Sequence, residues 1–244
     1  MNRFTAAAIH LVICGVVGAA LVAAFWTIWY PPPLFAALGV ADMFLLLLGV
    51  DVVLGPLLTL IIFKSGKKSL KFDLAVIACL QVAALLYGVF VLLSGRPVYV
   101  AAIGKRFDLI QASEIGPEQL AAYSGVLPWF GPRFVGVKRA DDSAERERML
   151  FSGLAGADYG HYPKYHVPIE TVRDELLAHA KPISELRRQN ANQGAEITQW
   201  LASRGYNERS AVFQGLRARS RDMAVILDAQ TAAVIGIAPF KPWD

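Results

Sequence analysis

The chain has 244 residues, of which 55% are hydrophobic, and its mean hydropathy of +0.42 is too high for one ordinary soluble domain. Its net charge of +4 and pI of about 9.1 do not indicate a nucleic-acid-binding protein, because lysines in a short loop between two apolar stretches supply much of the excess. The two cysteines, Cys14 and Cys79, both lie in apolar stretches and are expected to be buried there. Residues 95–244 contain no cysteine, so no disulfide framework holds that part of the chain together.

The apolar excess is concentrated in residues 1–94. Between Phe4 and Leu93 the only charged residues are Asp42, Asp51, Lys64, Lys67, Lys68, Lys71 and Asp73. The chain from Gly95 onward has the mixed charge of a soluble domain and is long enough to form its own core. The sequence therefore predicts two parts, a transmembrane region of residues 1–94 and an extramembrane domain of residues 95–244.

Three apolar stretches are predicted to cross a membrane, over residues 5–30, 41–63 and 72–93. The first is longer than the apolar core of a signal peptide and ends in aromatic residues typical of the bilayer interface, so we expect an uncleaved helix. Residues 34–40 exceed what the second span needs and are expected to lie at the interface or to extend outward. His10, in the first span, is interpreted as a helix-packing or interfacial residue.

The positive charges of the transmembrane region predict its topology. Arg3 and the lysines of residues 64–71 are expected in the cytoplasm, because short loops rich in Lys and Arg remain on that side. The loop at residues 31–33 contains no Lys or Arg. The sequence therefore predicts a multi-pass protein of the bacterial inner membrane, with its N-terminus in the cytoplasm and its C-terminal domain in the periplasm.

Asp51 is a polar residue that needs an explanation, because an ionisable side chain at membrane depth is costly unless it is satisfied or used. Gly55 follows one turn later, and Pro56 predicts a local kink because it has no N–H for the carbonyl of Val52. Counted from the lysine loop, Gln81 lies within about 4–5 Å of the depth of Asp51. Three interpretations stay open: a contact between two helices of this protein, a groove for another membrane helix, and a proton or ion path.

The extramembrane part is predicted to be an α+β domain with an antiparallel sheet. Strand patterns occur at residues 97–103, 107–112, 133–138, 211–219, 223–227 and 232–237. Helix patterns occur at residues 117–123, 143–151, 170–180, 182–190 and 192–203. The third and fourth of these are predicted to be one helix that Pro182 interrupts. The predicted fold class is three transmembrane α-helices followed by this α+β domain.

The extramembrane part carries little that indicates catalysis. His161 and His166 lie in one loop without a cysteine or a third clear ligand, which makes a metal site a weak hypothesis. No nucleophile, phosphate-binding or zinc-protease motif is present, so we expect no catalytic residue, no metal and no cofactor. Arg217, Arg219 and Arg221 form a basic segment that fits either a solvated strand edge or a contact with anionic headgroups or an acidic protein partner.

Four blocks of the sequence resemble a known family. They are WYPPPL at residues 29–34, VDVVLGPLLTL at 50–60 with KSGKKSLKFDLAVI at 64–77, GRPVYV at 95–100, and RARSRDMAVILDAQTAAVIGI at 217–237. The resemblance spans essentially the whole chain, and the second block is its most specific part. In them the chain resembles the TfpX/TfpZ-type accessory proteins of type IV pilins, which are inner-membrane proteins of pilus-bearing Gram-negative bacteria.

This resemblance implies a non-catalytic helper that stabilises or presents pilin before assembly, with type IV pilin and other pilus assembly components as partners. Under this hypothesis the second and third spans hold the pilin helix, and the C-terminal domain contacts the pilin head. The contact residues in the membrane would be Asp51, Gly55, Pro56 and Gln81. A membrane-anchored periplasmic sensor or binding module would share the architecture, and it should have a ligand pocket in the α+β domain. A membrane enzyme would need polar residues clustered at one membrane face, which this sequence lacks.

Overall fold

The protein folds as two compact units, seen in a computed structural model that describes residues 2–121, 123–154 and 156–243. The first unit comprises the chain up to Pro31 together with Gly39–Gly95. The second comprises Pro32–Leu38 together with the chain from Arg96 onward. The second unit is therefore built from two separate pieces of the sequence.

Long helices make up the first unit. The helices before residue 95 are α1 at Arg3–Trp29, α2 at Leu34–Ala37, α3 at Val40–Ile62 and α4 at Leu70–Ser94. Among the described residues, α1, α3 and α4 are the three helices long and apolar enough to cross a membrane, with 27, 23 and 25 residues. The three long apolar helices that the sequence predicts are confirmed.

Local sequence determines where these helices begin and where they widen. The side chain of Asn2 accepts a hydrogen bond of 2.8 Å from the N–H of Thr5 and so caps the start of α1. Helix α3 widens into a π-helical turn over Gly49–Leu54, shortly before Pro56. Because Pro56 has no N–H and its ring crowds the preceding turn, the regular hydrogen-bond ladder is interrupted there. Asp51 lies in this widened turn.

Small residues allow the helices of the first unit to approach closely. A Cβ atom at Gly88 of α4 would lie only 2.2 Å from Cδ1 of Leu47 in α3, so the leucine occupies the space that a larger residue would need. The hydroxyl of Tyr30 donates a hydrogen bond of 2.6 Å to the carbonyl of Leu92 in α4. Close packing and interhelical hydrogen bonds are the forces that hold membrane helices together.

The short helix α2 belongs to the second unit, although it lies between α1 and α3 in the sequence. Leu34 and Ala37 are buried. The carbonyl of Ala37 accepts hydrogen bonds from the N–H groups of Ser220 at 2.9 Å and Arg221 at 3.1 Å. Most of the residues that the second span does not need are thus part of the second unit.

In the described part of the second unit, eight strands form one mixed sheet. They are β1 at Pro97–Ile103, β2 at Arg106–Gln111, β3 at Arg133–Val137, β4 at His166–Pro168, β5 at Lys181–Pro182, β6 at Ala211–Arg217, β7 at Met223–Asp228 and β8 at Val234–Ala238. The strand order is β4-β3-β1-β2-β6-β7-β8, and β5 also pairs with β6. The β1/β3 and β2/β6 pairs are parallel, and the other pairs are antiparallel.

The predicted α+β fold is confirmed, and its sheet is mostly antiparallel, but the two parallel pairs were not predicted. A residue pattern locates a strand without identifying its partner or direction, because both depend on contacts between distant segments. The short strands β4 and β5 were missed as well. Pro182, predicted to interrupt a helix, lies in β5 and pairs with Val212 of β6.

Among the described residues, two buried clusters lie in the core of the second unit. The helices here are α5 at Pro117–Leu120, α6 at Ser143–Leu154, α7 at Arg173–His179, α8 at Ile183–Gln189 and α9 at Gly194–Ala202. One cluster joins α8 and α9 to the sheet through Leu186, Leu201 and Phe213. The other lies on β1, β2 and β3 and includes Ile110 and Val137. Burial of each such side chain stabilises the fold by about 1.5–3 kcal/mol.

Candidate partner-binding groove in the membrane region

The first unit contains a groove of about 220 Å³ between its three long helices. Helix α1 contributes a row at helical spacing, α4 contributes a second row, and α3 contributes two residues between them. The lining residues are His10, Ile13, Cys14, Val17, Gly18, Leu48, Asp51, Ala78, Gln81, Val82 and Leu85. The groove is open at its rim, since Ile13 is 56% exposed and Val82 is 54% exposed.

Asp51 is the charged residue of α3 that lines this groove. Only 7% of its surface is exposed. Neither carboxylate oxygen has a hydrogen-bond partner among the residues that the structure describes. An unpaired polar group in a low-dielectric setting is costly, so a hydrogen bond to the Asp51 carboxylate would stabilise the groove.

Gln81 lies beside Asp51, but it bonds to the main chain and not to the carboxylate. Its Nε2 donates to the carbonyl oxygen of Asp51 at 3.0 Å and to Sγ of Cys14 at 3.8 Å. Its Oε1 is buried and has no partner within the described residues. The two residues predicted to lie at a similar depth are therefore in contact, and Gln81 bonds to the backbone of Asp51 and not to its carboxylate.

The remaining predicted membrane residues explain why Gln81 can approach so closely. A Cβ atom at Gly55 would lie 1.9 Å from Nε2 of Gln81, so this contact requires glycine. Pro56 is buried next to it. Asp51, Gly55, Pro56 and Gln81 thus belong to one region of the first unit, and their contact with a partner helix stays a prediction.

Three groove residues on α1 were not identified as functional from the sequence. His10, Cys14 and Gly18 recur every four residues and so lie on one helix face. Nδ1 of His10 lies 2.7 Å from Oγ1 of Thr59, which connects α1 to α3. The spacing of these residues was the signal that could have assigned α1 to the groove alongside the second and third spans.

The three predicted contact arginines of the second unit do not form one free surface. Nη2 of Arg217 donates to Oδ2 of Asp108 at 2.7 Å, and Arg106 donates to the same buried carboxylate at 2.8 Å. Nη2 of Arg221 reaches the carbonyl of Pro239 at 3.4 Å. Arg219 lines a cavity of about 240 Å³ that Arg217 also lines. Their contact with a partner stays a prediction.

His161 and His166 make separate hydrogen bonds within the second unit. Nδ1 of His161 donates to Oδ1 of Asp158 at 3.1 Å, and Nε2 of His166 donates to the carbonyl of Gly160 at 2.8 Å. The hydrogen bond to Asp158 raises the pKa of His161, whereas burial lowers the pKa of His166. Within the described residues no group of three or more His, Cys, Asp or Glu side chains is placed to hold a metal ion.

A larger cavity of about 730 Å³ lies in the second unit. Both cationic and acidic side chains line it. Its charged lining residues are Lys105, Arg106, Lys138, Arg139, Asp174 and Glu175. Such a mixed lining suits a polar ligand that carries both kinds of charge, and it differs in character from the apolar groove of the first unit.

Comparison with known proteins finds three similar sequences from Dichelobacter nodosus. The fimbrial assembly protein of serogroup I is 29% identical over 228 residues, which cover 90% of this chain and 88% of the relative. The serogroup E1 protein gives the same identity and coverage. The fimbrial assembly protein of serogroups C1 and C2 is 36% identical over 94 residues, which cover 38% of this chain and 72% of the relative. No protein-family model and no solved structure matches the chain.

Proposed function

Because the chain belongs to the family of fimbrial assembly proteins, we propose that it is a membrane accessory protein that stabilises or presents type IV pilin subunits for pilus assembly. The names of the relatives support a role in pilus assembly. The chaperone-like mechanism is our proposal, as is the absence of catalysis.

The observation that carries the mechanism is the groove around Asp51. A pilin subunit that waits in the membrane has an apolar helix whose contacts are incomplete until it enters the pilus. A groove with exposed apolar walls and one unpaired carboxylate can bind one face of such a helix, which packs against its rim and makes a polar contact inside it. The walls of the groove come from α1 and α4, so the proposed pilin-binding site includes the first span as well as the second and third.

Deletion of the gene tests this function, with pilin abundance and surface pili measured separately in the same cells. We expect loss of surface pili together with reduced pilin in the membrane fraction, restored by the wild-type gene on a plasmid. Normal surface pili in the deletion strain would contradict the function. Normal pilin with absent pili would support a role in presentation over one in stability.

The proposed location is the inner membrane, with the N-terminus cytoplasmic and the second unit periplasmic. The lysines between α3 and α4 support this orientation, as does Arg3 ahead of α1. A reporter that is active only in the periplasm should function when fused after the last residue and fail when fused in the lysine loop. The opposite pattern would reverse the proposed topology.

A membrane-anchored sensor or binding module is the second candidate function. The cavity of about 730 Å³ in the second unit favours it, because its volume lies within the range of small-molecule sites. Substitution of Lys138 and Arg139 by Ala distinguishes the two candidates. Loss of pili with unchanged pilin binding in the membrane would favour a ligand-sensing role for this cavity.

A further inference from the structure

We infer that the groove accepts a hydrogen-bond-donating side chain from the transmembrane helix of the pilin subunit, an inference that rests on the proposed function. The groove holds several buried acceptor oxygens and no free donor from Gln81. This imbalance specifies the chemistry of the group that completes the site.

The hydrogen-bond inventory of Asp51 and Gln81 gives the first step. An amide nitrogen has two N–H donors, and those of Gln81 are directed to the Asp51 carbonyl and to Cys14. Three side-chain oxygens are left, namely both carboxylate oxygens of Asp51 and Oε1 of Gln81. None of the three has a partner in the described part of the chain. A group that only accepts hydrogen bonds would leave all three unsatisfied, whereas each N–H or O–H that a partner donates would satisfy one of them.

The depth of Asp51 gives the second step. It is the middle residue of α3, which has 23 residues, so it lies about 16 Å from either end of the helix. The headgroups of lipids, which lie at the two surfaces of a bilayer core about 30 Å thick, do not reach this depth. A side-chain donor that reaches this depth therefore has to be carried by another membrane helix.

The size and rim of the groove give the third step. A volume of about 220 Å³ suits one or two side chains and is too small for a whole helix. The exposed rim residues Ile13 and Val82 provide apolar surface against which a helix can lie while it inserts a side chain. The partner helix thus packs across α1 and α4 and directs its donor toward Asp51.

Substitutions of Asp51 in the full-length protein test the inference, with capture of epitope-tagged pilin from detergent-solubilised membranes as the readout. Asp51→Leu removes the acceptor and Asp51→Lys replaces it with a donor, so both should lower pilin capture by about tenfold or more. Asp51→Asn keeps one acceptor oxygen and should lose less. The same three substitutions at Asp42, which is exposed near the start of α3, should leave capture unchanged.

The outcomes separate the inference from the proposed function. Capture by Asp51→Lys that equals or exceeds wild type would mean that the partner group is an acceptor, and it would overturn the inference. Equal capture by Asp51→Leu would overturn it as well, while leaving the proposed function intact. If wild type captures no pilin, the function fails together with the inference. Thermal unfolding in detergent identifies any misfolded variant, and Gln81→Leu then serves as the second test, with reduced capture expected.

Discussion

At the scale of single residues, the fold of the second unit shifts the pKa values of His161 and His166 in opposite directions. The hydrogen bond from His161 to Asp158 favours the charged imidazole and raises the pKa of His161. Burial favours the neutral form of His166 and lowers its pKa. Its Nδ1 is buried without a partner among the described residues, so protonation there would leave a charge unsatisfied.

These shifts predict a different pH dependence for each histidine. A raised pKa gives stability that is fully present below the unfolded value of about 6.5 and is lost as pH rises through the folded pKa. A lowered pKa gives stability that is present above about 6.5 and is lost as pH falls through the folded pKa. His161→Gln should therefore flatten the alkaline side of the stability profile, and His166→Gln the acid side. Thermal unfolding between about pH 5 and 9 measures both, and identical profiles for the two variants would contradict this assignment.

At the scale of secondary-structure elements, the contact between α3 and α4 depends on a glycine. Gln81 occupies the space beside Gly55 where a side chain would begin. We expect Gly55→Ala to displace Gln81 and to destabilise the protein by about 1–3 kcal/mol, because overpacking forces side chains out of their preferred rotamers. Thermal unfolding in detergent measures this change.

Gly49 provides a matched control for this substitution. It lies in the same helix, and a Cβ atom there would meet nothing within 4 Å. Gly49→Ala should therefore leave stability unchanged or raise it by up to about 1 kcal/mol, since Ala favours a helix more than Gly does. If both variants were equally stable, the Gly55–Gln81 contact would not determine the packing of α3 against α4.

The elements differ in how far the sequence predicts them. Apolar length and the flanking lysines and prolines are local signals, so the three long apolar helices α1, α3 and α4 could be predicted. The parallel partners of β1 and β2 were not, because β3 and β6 lie far away in the sequence. At the site, depth counting placed Gln81 near Asp51. It did not reveal that Gln81 bonds to the Asp51 backbone, because the contact of a side chain of α4 with the main chain of α3 depends on tertiary packing.

At the scale of the whole molecule, the second unit is discontinuous in sequence. Residues 32–38 are separated from the rest of that unit by α3 and α4. Their contribution includes the two hydrogen bonds that the Ala37 carbonyl accepts from the turn between β6 and β7. A fragment that begins after α4 therefore lacks a piece of its own fold.

This discontinuity predicts that a fragment of residues 96–244 is less complete than the same residues in the full chain. The amide hydrogens of Ser220 and Arg221 bond to Ala37 in the intact protein, so they should exchange slowly there and rapidly in the fragment. The amides of β7, such as Val225, pair within the sheet and should stay protected in both, which makes them the internal control. Hydrogen–deuterium exchange with mass spectrometry measures the difference.

Equal protection of Ser220 and Arg221 in the two proteins would mean that residues 32–38 are dispensable for the second unit. Recovery of protection on adding a peptide of residues 31–39 would identify this segment as the missing piece.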